Sequence, residues 1–253
     1  MTFSGVSNCL NQSWVPYGGG HSILGIAPAL YHPDPKTGLV VGFGSGDTLY
    51  SLALDKRLDK TACVELSRGQ IELLKRESGR ELFWQVVKIF NNPRVNIIGG
   101  DGRKYLLHSK EKFDLIEIDA IHPYAAYSGN LYSVEFFQLI KQHLKPGGIF
   151  CQWLPTDRVE RTVLKAFPYV LKFSASFVLA SNEPIKFNKV EIIKRLADLN
   201  LIRSFGPEKG EEITNFFTSS FPEEIRTGII NNTDFVEDIN RDLFPKDEYF
   251  HNN

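Results

Sequence analysis

"LVVGFGSGDTLYSLAL", residues 39–54, decides how this chain is read. An apolar run enters a turn with glycines at 42, 44 and 46, and a helical stretch follows from Asp47. Glycines at alternate positions let the backbone bend sharply and come close to a ligand. A Walker-type phosphate loop needs Lys followed by Ser or Thr after its last glycine, whereas here Asp47 and Thr48 follow Gly46. The dinucleotide fingerprint G-x-G-x-x-G is not met either, because these glycines run G-x-G-x-G. Helix N-terminal amides attract anions, but Asp47 repels them. A neutral or cationic ligand suits the loop better. The plain alternative is a tight turn in which Asp47 complements the helix dipole.

Outward from this stretch, strand-like and helical runs alternate from Gly38 to about Trp153. Strands are expected at "GLVVGFG", "TACVEL", "RVNIIGGD", "FDLIEIDA" and "GIFCQWL". Helices are expected at "DTLYSLAL", at "RGQIELLKR" continuing through "ELFWQVVKIF", at "GRKYLLHS" and at "SVEFFQLIKQHL". Short β-branched runs without polar alternation belong to strands covered on both faces. Their alternation with helices implies a parallel sheet joined by right-handed crossovers. "KPGG" at 145–148 is expected to separate the last helix from the last strand.

Open α/β sheets bind ligands outside the carboxyl ends of their strands, and those ends are chemically marked here. Glu65 closes the second strand roughly twenty residues past the loop, where an acid can accept from both hydroxyls of a ribose. Asp101 closes the third, where a carboxylate can accept from an adenine amino group; it is also suited to cap the helix beginning near Arg103. Asp119 closes the fourth and opens an aromatic-rich loop, and Gln152 stands at the tip of the fifth. The set fits an adenosine ligand without phosphates, S-adenosylmethionine or its decarboxylated relative.

Past Pro155 come a helix ("RVERTVLKAF"), a β pair ("YVLKF", "SFVLAS"), helices around "KVEIIKRLADL" and "GEEITNFF", and a polar tail. A chain of 253 residues holds one large α/β domain with small appendages. Its net charge of −1 leaves no electrostatic footprint for nucleic acid or anionic membrane. No apolar run nears the roughly 18 residues of a membrane span, and "MTFSGVSNCLNQSW" lacks the basic and apolar regions of a signal peptide. Cys9, Cys63 and Cys151 match neither a disulfide framework nor a zinc site. Cys63 and Cys151 lie in strand-like runs and are expected as buried thiols, so a reducing cytoplasm is the expected setting. No ligand cluster accompanies any histidine, so no metal is expected and His21 reads as structural.

Several blocks between Gly5 and Thr156 resemble the spermidine synthases, or polyamine aminopropyltransferases. "PALYHPDPKTGLVVGFGSGDT" resembles the family's proline-rich lead into its glycine loop, "VEL" its V-E-I-D block and "GGDGRKYL" its G-D-G block. "FDLIEIDA" and "NLYSVEFFQLIKQHLKPGGIFCQW" resemble its Y-D-x-I-x-x-D strand, L-Y-x-x-E-F-Y helix and K-P-G-G turn. "HPYAAYSGNLY" is most like spermidine-synthase-like domains fused to membrane transporters, and "NNTDFVED" is faintly similar to the family's N-T-D-D-R-P segment.

The resemblance implies an α/β fold with a methyltransferase-like Rossmann sheet, mostly parallel and seven-stranded. It implies a short N-terminal β segment over 1–37, cut to about one strand, ahead of a nucleoside-binding catalytic domain with C-terminal helices over 38–253. Decarboxylated S-adenosylmethionine is the implied co-substrate, with Gly42, Gly44, Ser45, Gly46 and Asp47 forming its loop. Glu65 is then placed on the ribose hydroxyls, and Asp101 with Gly102 on the adenine. Asp119 becomes the acid beside the nucleophilic amine, and Tyr17 corresponds to the family's active-site tyrosine. A small-molecule amine is the implied partner; the family usually forms a homodimer, part of whose interface comes from the N-terminal domain expected to be much reduced here.

The departures fall on the amine side. The family's loop reads G-G-G-D-G-G and uses its Asp to hold the aminopropyl ammonium; that position is Ser45, with Asp47 nearby. The second acid of D-x-x-D is His122, the glutamine after the tyrosine is Gly18, and the glutamine of D-G-x-x-Q is Asn8. His122 can stand in for the missing acid in binding the acceptor, or be a loop histidine bonded to a backbone carbonyl. Gln152 can reach the acceptor, while Tyr124, Tyr127 and Tyr132 are expected to pack the loop, with one of them able to line the pocket.

Aminopropyl transfer is a direct displacement at the methylene beside a sulfonium, and the neutral thioether leaves without an acid. The attacking amine must be unprotonated although a free alkyl amine has a pKa of about 10.4. A base, alignment and desolvation are therefore needed; Asp119 can orient the ammonium and pass its proton to water, with Tyr17 as a second contact. Two alternatives stay open. The same adenosine contacts serve an S-adenosylmethionine-dependent methyltransferase, and Ser45 removes one obstacle to a carboxylated ligand. A non-catalytic nucleoside- or polyamine-binding homologue fits as well.

Overall fold

In the computed structural model of the chain, the described residues are 17–77, 84–118, 123, 125–174, 177–219, 221–227 and 238–249. Asn8, Cys9, Asp119, His122 and Tyr124 lie outside them. The unbroken apolar runs form the centre of an eight-stranded sheet: β1 (Thr37–Val41), β2 (Lys60–Glu65), β3 (Val95–Gly99), β4 (Phe113–Ile118), β5 (Leu144–Trp153), β6 (Tyr169–Phe173), β7 (Phe177–Ser181) and β8 (Glu223–Thr227). The order is β3-β2-β1-β4-β5-β7-β6-β8. β1 to β5 pair in parallel, and β7, β6 and β8 add antiparallel. Seven strands were expected; the eighth is "EEIRT", whose charges suit a sheet edge and hide it from a search for apolar runs.

Side chains alternate between two cores. Val40, Cys63, Leu115, Ile149 and Cys151 share one, while Leu39, Val41, Val64, Ile116, Ile118 and Phe150 share the other. Burial on both faces is why these strands show no polar alternation. The register keeps the strand ends level: Val41 faces Val64 and Ile118, Glu65 faces Gly99, and Ile118 faces Gln152. Because the chain runs outward from β1 to β3 and then returns to β4 on the other side, a crevice opens at the carboxyl ends of β1 and β4.

Three local features differ from, or add to, the sequence reading. Of 1–37, where a short β segment was expected, residues 1–16 lie outside the described residues and 17–37 carry a helix, α1 (Gly20–Tyr31). Leu24, Ala27, Leu30 and Tyr31 recur at helical spacing on its buried side. Gly25 brings α1 onto α2 (Asp47–Ala53) so closely that a Cβ would lie 2.3 Å from the Thr48 carbonyl. Arginines occupy the last carbonyls of α1, Arg57 donating to Ala29 and Arg195 to Leu30, both at 2.6 Å. Second, the "KPGG" turn lies within β5: pairing with β4 shifts register between Leu144 and Ile149, with Gly147 at φ +71°. Third, the C-terminal tail is anchored and contains a short helix, Lys246–Tyr249. No helix among the described residues is long and apolar enough to cross a membrane.

Candidate active site

The glycine loop after β1 is fastened from every side. Gly42, Gly44 and Gly46 have φ of +97°, +53° and +87°, a region that side chains with a Cβ rarely enter. The amide of Gly42 donates to the Val64 carbonyl (2.9 Å), and that of Gly46 to the Phe43 carbonyl (2.7 Å). Gln70 donates to the Gly44 carbonyl (2.6 Å), and the buried Tyr17 hydroxyl to the Ser45 carbonyl (2.8 Å). The two later glycines differ in purpose. A Cβ on Gly46 would lie 2.8 Å from Ile89 Cδ1 and 3.1 Å from the Tyr17 hydroxyl, whereas Gly44 meets nothing within 4 Å. Gly46 is glycine for packing; Gly44 offers bare backbone to open space.

Glu65 joins this loop to the second strand tip. Only 8% exposed, it accepts from the Phe43 amide through Oε2 and from the Ser67 amide through Oε1, each at 2.7 Å. A carboxylate accepts about four hydrogen bonds, so each oxygen keeps a lone pair for a ribose hydroxyl. Asp101 caps α3 (Gly102–His108, the helix after β3), accepting from the Lys104 amide at 2.7 Å, and is otherwise exposed. A Cβ on Gly102 would lie 2.4 Å from Val41 Cγ1, so glycine is what lets this helix begin against the end of β1. The Gly100 amide donates to the Glu65 carbonyl (2.8 Å), which keeps the tips of β2 and β3 together. Loop, Glu65, Asp101 and Gly102 thus share one edge.

The remaining expected residues stand apart. Asp47 is 1% exposed and accepts from Ser22 (2.5 Å) and Ser51 (3.1 Å), which places its carboxylate in the contact between α1 and α2. Ser45 is buried, and its hydroxyl accepts from the Asp47 amide at 3.4 Å. Gln152 is fully buried at the tip of β5; its amide nitrogen donates to the Trp153 carbonyl (2.8 Å), while its buried Oε1 has no hydrogen-bond partner among the described residues. Cys63 and Cys151 are buried thiols, and burial pushes the Cys63 thiol well above its ordinary pKa. Among the described residues no group of three His, Cys, Asp or Glu side chains is placed to hold a metal ion. Gln70 and Ser22 were not foreseen as loop supports. Gln70 had a positional signal only, being in the first turn after an acidic strand tip.

The chain is similar to proteins of one known family. The model of the spermine/spermidine synthase domain matches residues 19–166. A polyamine aminopropyltransferase of Thermotoga petrophila is 32% identical over 130 residues, which cover 51% of this chain and 42% of that protein. The chain thus matches less than half the length of that relative. A polyamine aminopropyltransferase of Thermococcus kodakarensis is 27% identical over 76% of this chain and 72% of its own length. Among solved structures, a spermidine synthase in complex with the transition state analogue AdoDATO superposes with a TM-score of 0.58 at 26% identity, covering 79% of this chain and 71% of that one.

Proposed function

The chain belongs to the spermine/spermidine synthase domain family, and from that membership we propose that it transfers an aminopropyl group from decarboxylated S-adenosylmethionine to a polyamine or another amine. One observation carries the reading. The loop amides of Gly42, Phe43, Gly46 and Asp47 all donate to acceptors within the protein. A phosphate is held by free loop amides; this loop spends four of its six within the protein, and the acids Glu65 and Asp101 stand at the two neighbouring strand ends. That lining suits a sugar and base with a cationic sulfur.

In this reading Glu65 accepts from the ribose hydroxyls, and Asp101 with Gly102 takes the adenine edge. The amine lone pair attacks the methylene beside the sulfonium, and the carbon–sulfur bond breaks with its electron pair returning to sulfur. Methylthioadenosine leaves neutral. The ammonium proton passes from nitrogen to Asp119 and on to water, and Gln152 and His122 line the acceptor's side. Tyr17 acts through the loop, by its bond to the Ser45 carbonyl.

Methyl transfer from S-adenosylmethionine is the second reading, and one observation favours it. Within 42–47 the single carboxylate, Asp47, is buried and bonded to Ser22 and Ser51, so the loop extends no carboxylate to grip an aminopropyl ammonium, a contact that a methyl donor does without. Calorimetry with both forms of the sulfonium ligand and with methylthioadenosine, followed by a mass-based amine screen, separates the readings. Tighter binding of the decarboxylated form with an aminopropylated product supports the first. Preference for the carboxylated form replaces it with the second, and binding without product leaves a binding homologue.

A further inference from the structure

The segment from Asp238 to Tyr249 ties together the chain that follows β3, β4 and β5. Behind β5, Arg158 donates to Asp238 (2.8 Å) and also pairs with Asp247, which accepts from Thr156 (2.8 Å). Behind β3, Arg103, the residue after Gly102, donates through both terminal nitrogens to Asp242 at 2.7 and 2.5 Å. Behind β4, Glu248 accepts from the amides of Tyr127 (2.9 Å) and Gly129 (3.1 Å). Pro245 packs so tightly on Gly129 that a Cβ there would come within 2.2 Å of it.

Tyr127 has φ +68°. A residue with a Cβ adopts that conformation at a cost, so contacts from outside the loop must hold it. Glu248 supplies them. One carboxylate receives two amides of the strained turn, that of Tyr127 on one oxygen and that of Gly129 on the other, and charge-assisted bonds of this kind are the stronger class. Neither periodicity nor motif marks this residue, which sits in a polar tail about 120 positions from its partners.

We propose that Glu248 is a positioning residue: it fixes the path of the chain after β4 against the nucleoside edge and so sets the alignment of the acceptor amine. This rests on the aminopropyl-transfer reading, in which the chain after β4 supplies the amine side. The test compares Glu248→Ala and Glu248→Gln with Tyr249→Ser, a change at an exposed neighbour. The measurements are methylthioadenosine affinity, steady-state kinetics with decarboxylated S-adenosylmethionine and 1,4-diaminobutane, and amide exchange of residues 125–133.

Glu248→Ala is expected to leave nucleoside affinity within about twofold while amine kcat/KM falls on the order of 10- to 100-fold, as misalignment of reacting groups does. Loop exchange quickens in parallel. Glu248→Gln keeps one acceptor and falls between, and Tyr249→Ser behaves as wild type. Unchanged loop exchange in Glu248→Ala overturns the proposal, as does faster exchange with unaltered amine kinetics. An equal loss of nucleoside affinity and amine kinetics makes the role merely structural and overturns it too. If wild type makes no aminopropylated product, the aminopropyl reading fails separately, and loop exchange still decides whether Glu248 holds the loop.

Discussion

Glu65→Gln separates the two duties of one carboxylate. In the folded chain each of its oxygens receives one backbone amide at 2.7 Å, from Phe43 and Ser67, at a site only 8% exposed. Glutamine keeps one carbonyl oxygen and sets an NH2 group against the other amide. Losing one charge-assisted bond and leaving a buried N–H facing a donor costs about 2–3 kcal/mol. For a chain of this size that lowers Tm by roughly 5–10 °C without ligand. The ribose loses one acceptor as well, weakening nucleoside affinity about tenfold, or about 1.4 kcal/mol. With methylthioadenosine in excess, the Tm gap between wild type and variant therefore widens by a further 3–5 °C or so. Differential scanning calorimetry with and without methylthioadenosine reads both effects. A ligand-free Tm within about 1 °C of wild type would refute the loop anchor, and a gap that does not widen with nucleoside would refute the ribose assignment.

Gly46→Ala adds a Cβ 2.8 Å from Ile89 Cδ1 at φ +87° and should cost about 2–4 kcal/mol in denaturant melts. Gly44→Ala meets only the φ penalty of about 1–2 kcal/mol but blocks the ligand's approach; equal stability losses would contradict the split between them. Asp119→Asn should abolish turnover and spare nucleoside binding, and full activity would remove Asp119 from the mechanism. The C-terminal segment should loosen in acid. The hydrogen bond from Arg158 holds the Asp238 carboxyl below its usual range; burial pushes Asp242 up, but Arg103 and Ser133 outweigh it. Folded pKa values below the unfolded ones give stability that is complete above the ordinary aspartate pKa of about 3.9 and fades as pH falls below it. Exchange in residues 238–249, corrected for intrinsic rates, should stay constant from about pH 7 to 5 and quicken below about 4; release near pH 6 would contradict these pairings.

What was legible in the sequence was what repeats locally. Runs such as "LVVGFG" and "FDLIEI" are buried on both faces and announce themselves by composition, and the acids at their ends follow once the strands are placed. Strand β8 escaped because Ile225 is its only apolar residue. Helix α1 was readable in principle from the spacing of Leu24, Ala27 and Tyr31, but Pro28 and the glycines around it interrupt the pattern. Side-chain targets far along the chain were not legible at all. Asp47 reads equally well as a ligand for an ammonium or as a partner for Ser22, and only the packing of Gly25 on Thr48 decides for the second. Gln70 on the Gly44 carbonyl and Glu248 on Tyr127 are of the same kind: one long polar side chain meets one backbone group, with no pattern to betray it.

The placement of Asp47 has a consequence for how the site divides. Its carboxylate fastens α1 to α2 through Ser22 and Ser51, and the same arrangement sets Tyr17 on the loop. An acid used in this way is withdrawn from the ligand, and Ser45 does not replace its charge. In the proposed aminopropyl transfer, recognition of a cation then falls to the chain after β4 that Glu248 is proposed to hold. On that proposal the nucleoside half rests on strand ends and tight glycine contacts within the sheet, and the amine half on a loop braced from the C-terminal segment. Halves supported by different parts of the fold should respond separately. Changes at Glu65, Gly44 or Asp101 then move nucleoside affinity, and changes at Glu248 or Asp242 move amine kinetics. Parallel loss of both constants from either set would mean a single cooperative site, with Asp47 no longer the reason the two halves differ.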